Sequence, residues 1–132
     1  MKRVIFVCMS NSRRSIMAEA IFDKLTGPKA QSAGIDPKPA DQNTFLVLKE
    51  IGIDCKGKSK KVTEAMLEQA DKIITFRCAE HIPEKYHPKV QNWDFGAKRQ
   101  VGEEQKERTL EYMRELRDSI YEKVKELIGQ IG

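Results

Sequence analysis

Val4-Ile5-Phe6-Val7 is an unbroken β-branched and aromatic run that stops abruptly at Cys8-Met9-Ser10-Asn11-Ser12-Arg13-Arg14-Ser15. Four apolar residues in succession, without polar alternation, mark a strand buried on both faces, as in a parallel sheet. Beyond the polar octet the apolar positions Ile16, Met17, Ala20, Ile21 and Leu25 fall at helical spacing, and Gly27-Pro28 supplies a stop. The amino terminus therefore reads as strand, tight loop and helix. Cys8 lies at the carboxyl end of the strand, where open parallel sheets place their ligands.

The same pattern continues outward. Ala30 to Ile35 predicts a second strand, and Asp36-Pro37-Lys38-Pro39 a loop. Phe45, Leu46, Leu48 and Ile51 predict a helix closed by Gly52, and a short helix follows around Val62 to Gln69. Lys72-Ile73-Ile74-Thr75-Phe76 predicts a third buried strand, and Val90 to Trp93 a fourth after a loop carrying Pro83 and Pro88. Leu110, Met113, Leu116, Ile120, Val124, Leu127 and Ile131 recur every three or four residues, one apolar face of a long closing helix. Strands alternating with helices predict an α/β fold with a four-stranded parallel sheet and helices on both faces, three layers in one domain spanning residues 1–132.

At 132 residues such a domain buries about two-thirds of its unfolded surface without disulfides or metals. Charged residues make up 33% and the net charge is +4, from 24 basic against 20 acidic side chains. The basic residues are scattered, except for Lys56, Lys58, Lys60 and Lys61, so a nucleic-acid footprint is not expected. The lysine run reads as a solvated loop without function. No run of about 18 apolar residues appears, the first apolar stretch is too short for a signal peptide, and no membrane association is expected. Three cysteines at 8, 55 and 78 form neither a disulfide scaffold nor a zinc motif. Reduced thiols fit a cytoplasmic protein, and no metal or cofactor is called for. His81 and His87 lack the spacing of a metal pair. Tyr86, Trp93, Phe95 and Tyr112 read as core or pocket rim.

The octet has the parts of an oxyanion site. A loop this tight turns successive backbone amides of Met9, Ser10, Asn11, Ser12, Arg13, Arg14 and Ser15 inward as an anion nest, reinforced by the helix dipole. Arg14, six positions after Cys8, offers a planar fork for two oxygens. Ser15 offers a hydroxyl hydrogen bond to sulfur. The field that attracts an anion also favours thiolate over thiol, and a thiolate facing a bound phosphoryl or arsenyl centre is set for covalent catalysis.

A cysteine, five residues, then Arg-Ser near the amino terminus resembles the signature of the low-molecular-weight protein tyrosine phosphatase superfamily, and the resemblance spans nearly the whole chain. Met17-Ala18-Glu19-Ala20, Ser32-Ala33-Gly34-Ile35, Glu50-Ile51-Gly52-Ile53-Asp54 and Ala70-Asp71-Lys72-Ile73-Ile74-Thr75 are similar to its thiol-coupled arsenate reductase branch. The resemblance implies Cys8 as nucleophile, Arg14 as oxyanion clamp, and Asn11 and Ser15 as supports of the loop and the thiolate. Two departures bear on the branch. Where the phosphatases carry an Asp-Pro general acid, Gly96-Ala97-Lys98 follows Trp93-Asp94-Phe95, so Asp94 is the one candidate to replace it. That step is worth about a hundredfold or more in rate. Cys78 stands one residue later than the reductases' second thiol, and residues 79 to 89 hold no third cysteine.

The leading expectation is an arsenate reductase-like enzyme: Cys8 attacks arsenate, Cys78 resolves the adduct as a disulfide, and a thioredoxin-like or glutaredoxin-like partner regenerates the thiols. Two alternatives are a phosphatase hydrolysing phosphate monoesters through a phospho-cysteine, and a catalytically weak oxyanion-binding or redox-sensing domain. Cys55 reads as a bystander. Arg13 either adds positive field to the loop or projects into solvent. Nothing in the helix patterns calls for a dimer, and a monomer is expected.

Overall fold

A computed structural model describes residues 2–27, 30–94 and 109–131. Its sheet is built from β1 (Val4–Cys8), β2 (Ala30–Gly34), β3 (Lys72–Thr75) and β4 (Val90–Asn92), all parallel, in the order β2-β1-β3-β4. Every residue of β1 is buried, because this strand lies between two others and under a layer on each face. The Gly27-Pro28 stop is half visible: Gly27 closes its helix at φ 98°, and Pro28 lies outside the described residues.

Helices α1 (Arg14–Thr26), α2 (Gln42–Lys49), α3 (Glu64–Gln69) and α4 (Leu110–Ile131) match the periodicity read from the sequence within a few residues. Alternation along β1 splits the core in two. Val4, Phe6 and Cys8 join Met17, Ile21, Phe22, Val47, Leu48, Met113, Ile120 and Val124 beneath α1, α2 and α4. Ile5 and Val7 join Ala33, Leu67, Ile73, Cys78, Ile82 and Tyr86 on the opposite face. Trp93 is buried against Phe6 and Phe76, with ring centroids 5.8 and 5.6 Å away, so it belongs to the core. Tyr86 is buried too, its hydroxyl donating to Glu64; Phe95 lies outside the described residues. No described helix is long and apolar enough to cross a membrane.

One polar residue interrupts the apolar face of α4. Arg117 is buried, and its guanidinium donates to the Val47 carbonyl at 2.8 Å and to Glu50 Oε1 at 2.8 Å. Arg114 grips the same carboxylate from one turn away. These arginines fasten α4 to the carboxyl end of α2, whose dipole and carbonyls favour cations. Arg117→Met leaves the buried Val47 carbonyl without this donor and is expected to cost about 1–3 kcal/mol, read as a lower midpoint in urea unfolding with unchanged slope.

Candidate active site

Residues 8–13 connect β1 to α1, and their backbone is held from the outside. The Cys8 carbonyl accepts from Ile35 N (3.1 Å), Met9 from Asp36 N (2.7 Å) and Ser10 from Lys38 N (3.0 Å). Asn11 O accepts from Ser59 Oγ at 2.6 Å. Ser12 O accepts from Asp41 N at 3.1 Å and Thr44 Oγ1 at 3.0 Å. With five successive carbonyls pinned outward, the intervening amides are turned toward the interior of the loop, the arrangement an anion nest requires. Helix α1 then begins without a side-chain cap, since Arg13 at the N-cap makes none. A helix start without a side-chain cap has first-turn amides suited to an anion.

Within this ring the Cys8 sulfur is buried and receives two polar contacts. Asn11 N donates to it at 3.1 Å, and Ser15 Oγ lies 2.9 Å away. Ser15 Oγ accepts from Asn11 Nδ2 at 2.7 Å, which leaves its own hydrogen directed at the sulfur. Both contacts hold the sulfur at the base of the loop. Asn11 adopts φ 50°, a left-handed conformation that asparagine tolerates better than most residues. Its fully buried side chain also reaches Ser32 Oγ at 3.1 Å and accepts from Lys60 N at 3.0 Å.

The other loop residues surround this centre. Met9 is exposed, and Ser10 and Ser12 hydroxyls meet at 2.8 Å. Arg14 lies half-buried beside the end of β3, its Nη1 3.5 Å from the Phe76 carbonyl and its guanidinium 5.9 Å from the Phe76 ring centroid. The two readings open for Arg13 give way to a third: its Nε donates to Asp41 at 2.8 Å, tying the catalytic loop to the start of α2. A groove of about 470 Å³ runs beside the loop, lined by Ser10, Ser12, Arg13, Lys38, Pro39, Asp41 and Asn43.

Cys78 lies across the sheet from this centre. Both cysteines are free thiols, but Cys8 packs in the α1 side of the core and Cys78 on the opposite face of the sheet. The Cys78 thiol donates to the Val7 carbonyl at 3.3 Å. Burial pushes its pKa up to about 11, with the Cys8 charge adding to the rise and Arg14 opposing it. The fold thus holds the neutral thiol. The associated stability is present below the ordinary thiol range of about 8.5 and is lost as pH rises through about 11. Native protein is therefore expected to lose more stability across that window than Cys78→Ala, measured by urea unfolding at each pH.

Asp94 is largely exposed, and its carboxylate meets Arg77 Nε at 2.9 Å; Gly96, Ala97 and Lys98 lie outside the described residues. Cys55 is half-buried and its pKa is raised by desolvation, in keeping with a bystander. His87 Nε2 meets the Ile82 carbonyl at 2.8 Å and His81 lies beside Glu80. Among the described residues no cluster of three or more His, Cys, Asp or Glu can hold a metal. Sequence reasoning passed over Glu19, Gly34, Ser59 and Lys60, all of which touch or back the Asn11 network. Glu19, Ser32 and Gly34 stand in stretches that carry the family resemblance, Met17–Ala20 and Ser32–Ile35, but those stretches do not by themselves assign a role.

The geometry agrees with comparisons to known proteins. Over 136 residues, 95% of this chain and 94% of the other, the chain is 31% identical to an arsenate reductase of Bacillus subtilis. It is 28% identical over its full length to the full length of a glutaredoxin arsenate reductase of Synechocystis. A solved arsenate reductase in its phosphate-binding state superimposes with a TM-score of 0.84 over the whole of both chains at 26% identity. The family model for low molecular weight phosphotyrosine protein phosphatase matches residues 3–131. The chain belongs to this family of cysteine-dependent enzymes.

Proposed function

We propose that the protein is an arsenate reductase in which Cys8 is the nucleophile. The observation that carries the reading is the ring of outward-pinned carbonyls from Cys8 to Ser12, which leaves an amide-lined nest around a buried sulfur. Relatives that cover nearly all or all of the chain bear the arsenate reductase name, and Cys78 supplies a second thiol that donates to the carbonyl of Val7, the residue before Cys8, at 3.3 Å.

In the first step the Cys8 thiolate attacks As(V), forming an S–As bond while hydroxide leaves with a proton as water. The loop amides and Arg14 hold the oxyanion charge. In the second, Cys78 loses its proton and attacks Cys8 Sγ. The S–S bond forms as the S–As bond breaks, and its electron pair passes to arsenic, which leaves as arsenite, As(III). The two cysteines are oxidised by the two electrons arsenic gains. A thioredoxin-like or glutaredoxin-like dithiol returns them. The second step requires Cys78 to leave Val7, and the turn before it holds a hinge for that motion: Arg77 sits at φ 63°, a conformation disfavoured for a residue with Cβ.

Native protein mixed with arsenate in the absence of a reductant is expected to release stoichiometric arsenite and to accumulate a Cys8–Cys78 disulfide, mapped by peptide mass spectrometry. A disulfide through Cys55, or no arsenite, would overturn the assignment. A phosphate monoesterase is the second reading, favoured by the groove of about 470 Å³ beside the loop, which gives room for a leaving group. In that reaction a phospho-cysteine is hydrolysed by water and Cys78 is dispensable.

A further inference from the structure

The nest and Arg14 suffice for a small tetrahedral anion, yet the surface beside them has room for something larger. The groove that borders Ser10 and Ser12 shares Lys38 and Pro39 with a second groove of about 440 Å³. The second lies between the 37–40 loop, the start of α2 and the 57–59 segment, and its apolar wall is Pro37, Pro39, Ala40 and Phe45. Phe45 is only half-buried, and Leu46, next along α2, is 52% exposed. The two grooves form one trough that starts at the catalytic loop and ends on an open apolar wall.

Its rim is basic. Lys38 and Lys58 line the second groove, and no acidic side chain is among its lining residues. The acid of the first groove is Asp41, whose carboxylate already meets Arg13 at 2.8 Å and accepts from Asn43 N at the start of α2. Lys38 pairs with exposed Asp36 at 3.2 Å. Lys58 is exposed, and so are Lys56, Lys60 and Lys61 around it. A trough with an apolar wall and a basic rim is complementary to a protein segment that carries carboxylates beside an apolar side chain.

The proposed reaction requires a protein visitor in every turnover, since the Cys8–Cys78 disulfide has to be reduced from outside. We propose that the trough is the docking site of this dithiol reductant, which presents an acidic segment with an apolar side chain, and that Lys58 is its main electrostatic contact. The proposal rests on the two-thiol reading above. In the docked complex one reductant thiolate attacks the enzyme disulfide, forming a mixed disulfide and releasing one enzyme cysteine. The second reductant thiol then displaces the other, so two electrons and two protons pass to Cys8 and Cys78 and the reductant leaves as a disulfide. The lysine run, which reads from sequence as solvated charge, is on this account a recognition element.

The test separates partner capture from chemistry. Steady-state arsenite formation is measured against the concentration of a thioredoxin of acidic isoelectric point, kept reduced by its reductase and NADPH. Native protein, Lys58→Glu and Lys125→Glu are compared, the last placing the same change of charge on α4. Each protein is also mixed with arsenate, fully reduced and without thioredoxin, to follow the single burst of arsenite, and hydrolysis of an acidic phosphopeptide is followed alongside. Lys58→Glu is expected to lower kcat/KM for thioredoxin about fivefold or more and to flatten its decline with ionic strength, while its burst rate stays within about twofold of native. Lys125→Glu is expected to change neither rate by more than about twofold. An unchanged kcat/KM for thioredoxin in Lys58→Glu, or an equal loss in Lys125→Glu, would overturn the proposal. So would a loss matched in the burst, because the charge then acts on arsenate and not on the partner. A loss confined to phosphopeptide hydrolysis would overturn it in favour of a substrate segment as the occupant. Absence of an arsenite burst from native protein would instead overturn the two-thiol reading on which the proposal rests.

Discussion

Cys8→Ser is expected to lose turnover by about 10⁴-fold or more, the scale seen when a covalent nucleophile is removed, while retaining phosphate binding in the loop. The substitution exchanges sulfur for oxygen in a site whose carbonyls are fixed by residues 35–44 and 59, and it leaves those hydrogen bonds in place. The nest therefore survives. What is lost is the nucleophile, since a serine hydroxyl is a far weaker nucleophile than a cysteine sulfur, and Asn11 N and Ser15 Oγ then meet an oxygen in its place. Turnover assays and phosphate titration by calorimetry check the two halves. Loss of phosphate binding together with turnover would mean that sulfur organises the loop.

Gly34→Ala is the second large effect. A Cβ at Gly34 would stand 3.0 Å from Asn11 Cβ, 3.0 Å from Asn11 N and 3.0 Å from the Ser10 carbonyl carbon. Two of these are backbone atoms of the catalytic loop, which cannot rotate away as a side-chain tip would. Gly34 is also fastened on its other side, donating to Lys60 O at 2.8 Å and accepting from Val62 N at 2.9 Å. The loop must give by a few tenths of an ångström at Ser10 and Asn11. Overpacking of this kind costs about 1–3 kcal/mol, and the rate falls too, by less than the roughly 10²-fold that a misplacement of about 1 Å costs. Gly57→Ala is the control, because its methyl would meet only Cys55 Sγ at an ordinary 3.7 Å. Thermal unfolding and turnover of the two variants, side by side, measure both effects.

The contrast between these glycines shows which parts of the protein are legible in the chain. The run Val4 to Val7, the break at Cys8 and the helical spacing after Ser15 are local patterns, so strand, loop and helix were readable, as were all four strands and the α4 face. The loop's outward fastening was not. Its donors come from Ile35, Asp36, Lys38, Asp41, Thr44 and Ser59, and nothing in those residue types announces a partner dozens of positions away. The lysine run misled for a related reason: its side chains are exposed, as charge predicts, while its backbone holds Asn11 and Gly34. Cys78 was placed just past β3 from sequence, but its burial on the far face depends on the packing of α3 and the segment after β3. Arg13 could be read toward the loop or toward solvent, because Asp41, which engages it, is adjacent only in the fold.

The reductase assignment turns on the second thiol. The direct measurement is steady-state arsenite formation from arsenate with a thioredoxin or glutaredoxin system, for native protein, Cys8→Ala, Cys78→Ala and Cys55→Ala. Turnover by native protein and Cys55→Ala, lost in both Cys8→Ala and Cys78→Ala, is the predicted result. Arsenite formation that persists in Cys78→Ala, or a native chain that hydrolyses phosphate monoesters but forms no arsenite, would contradict it.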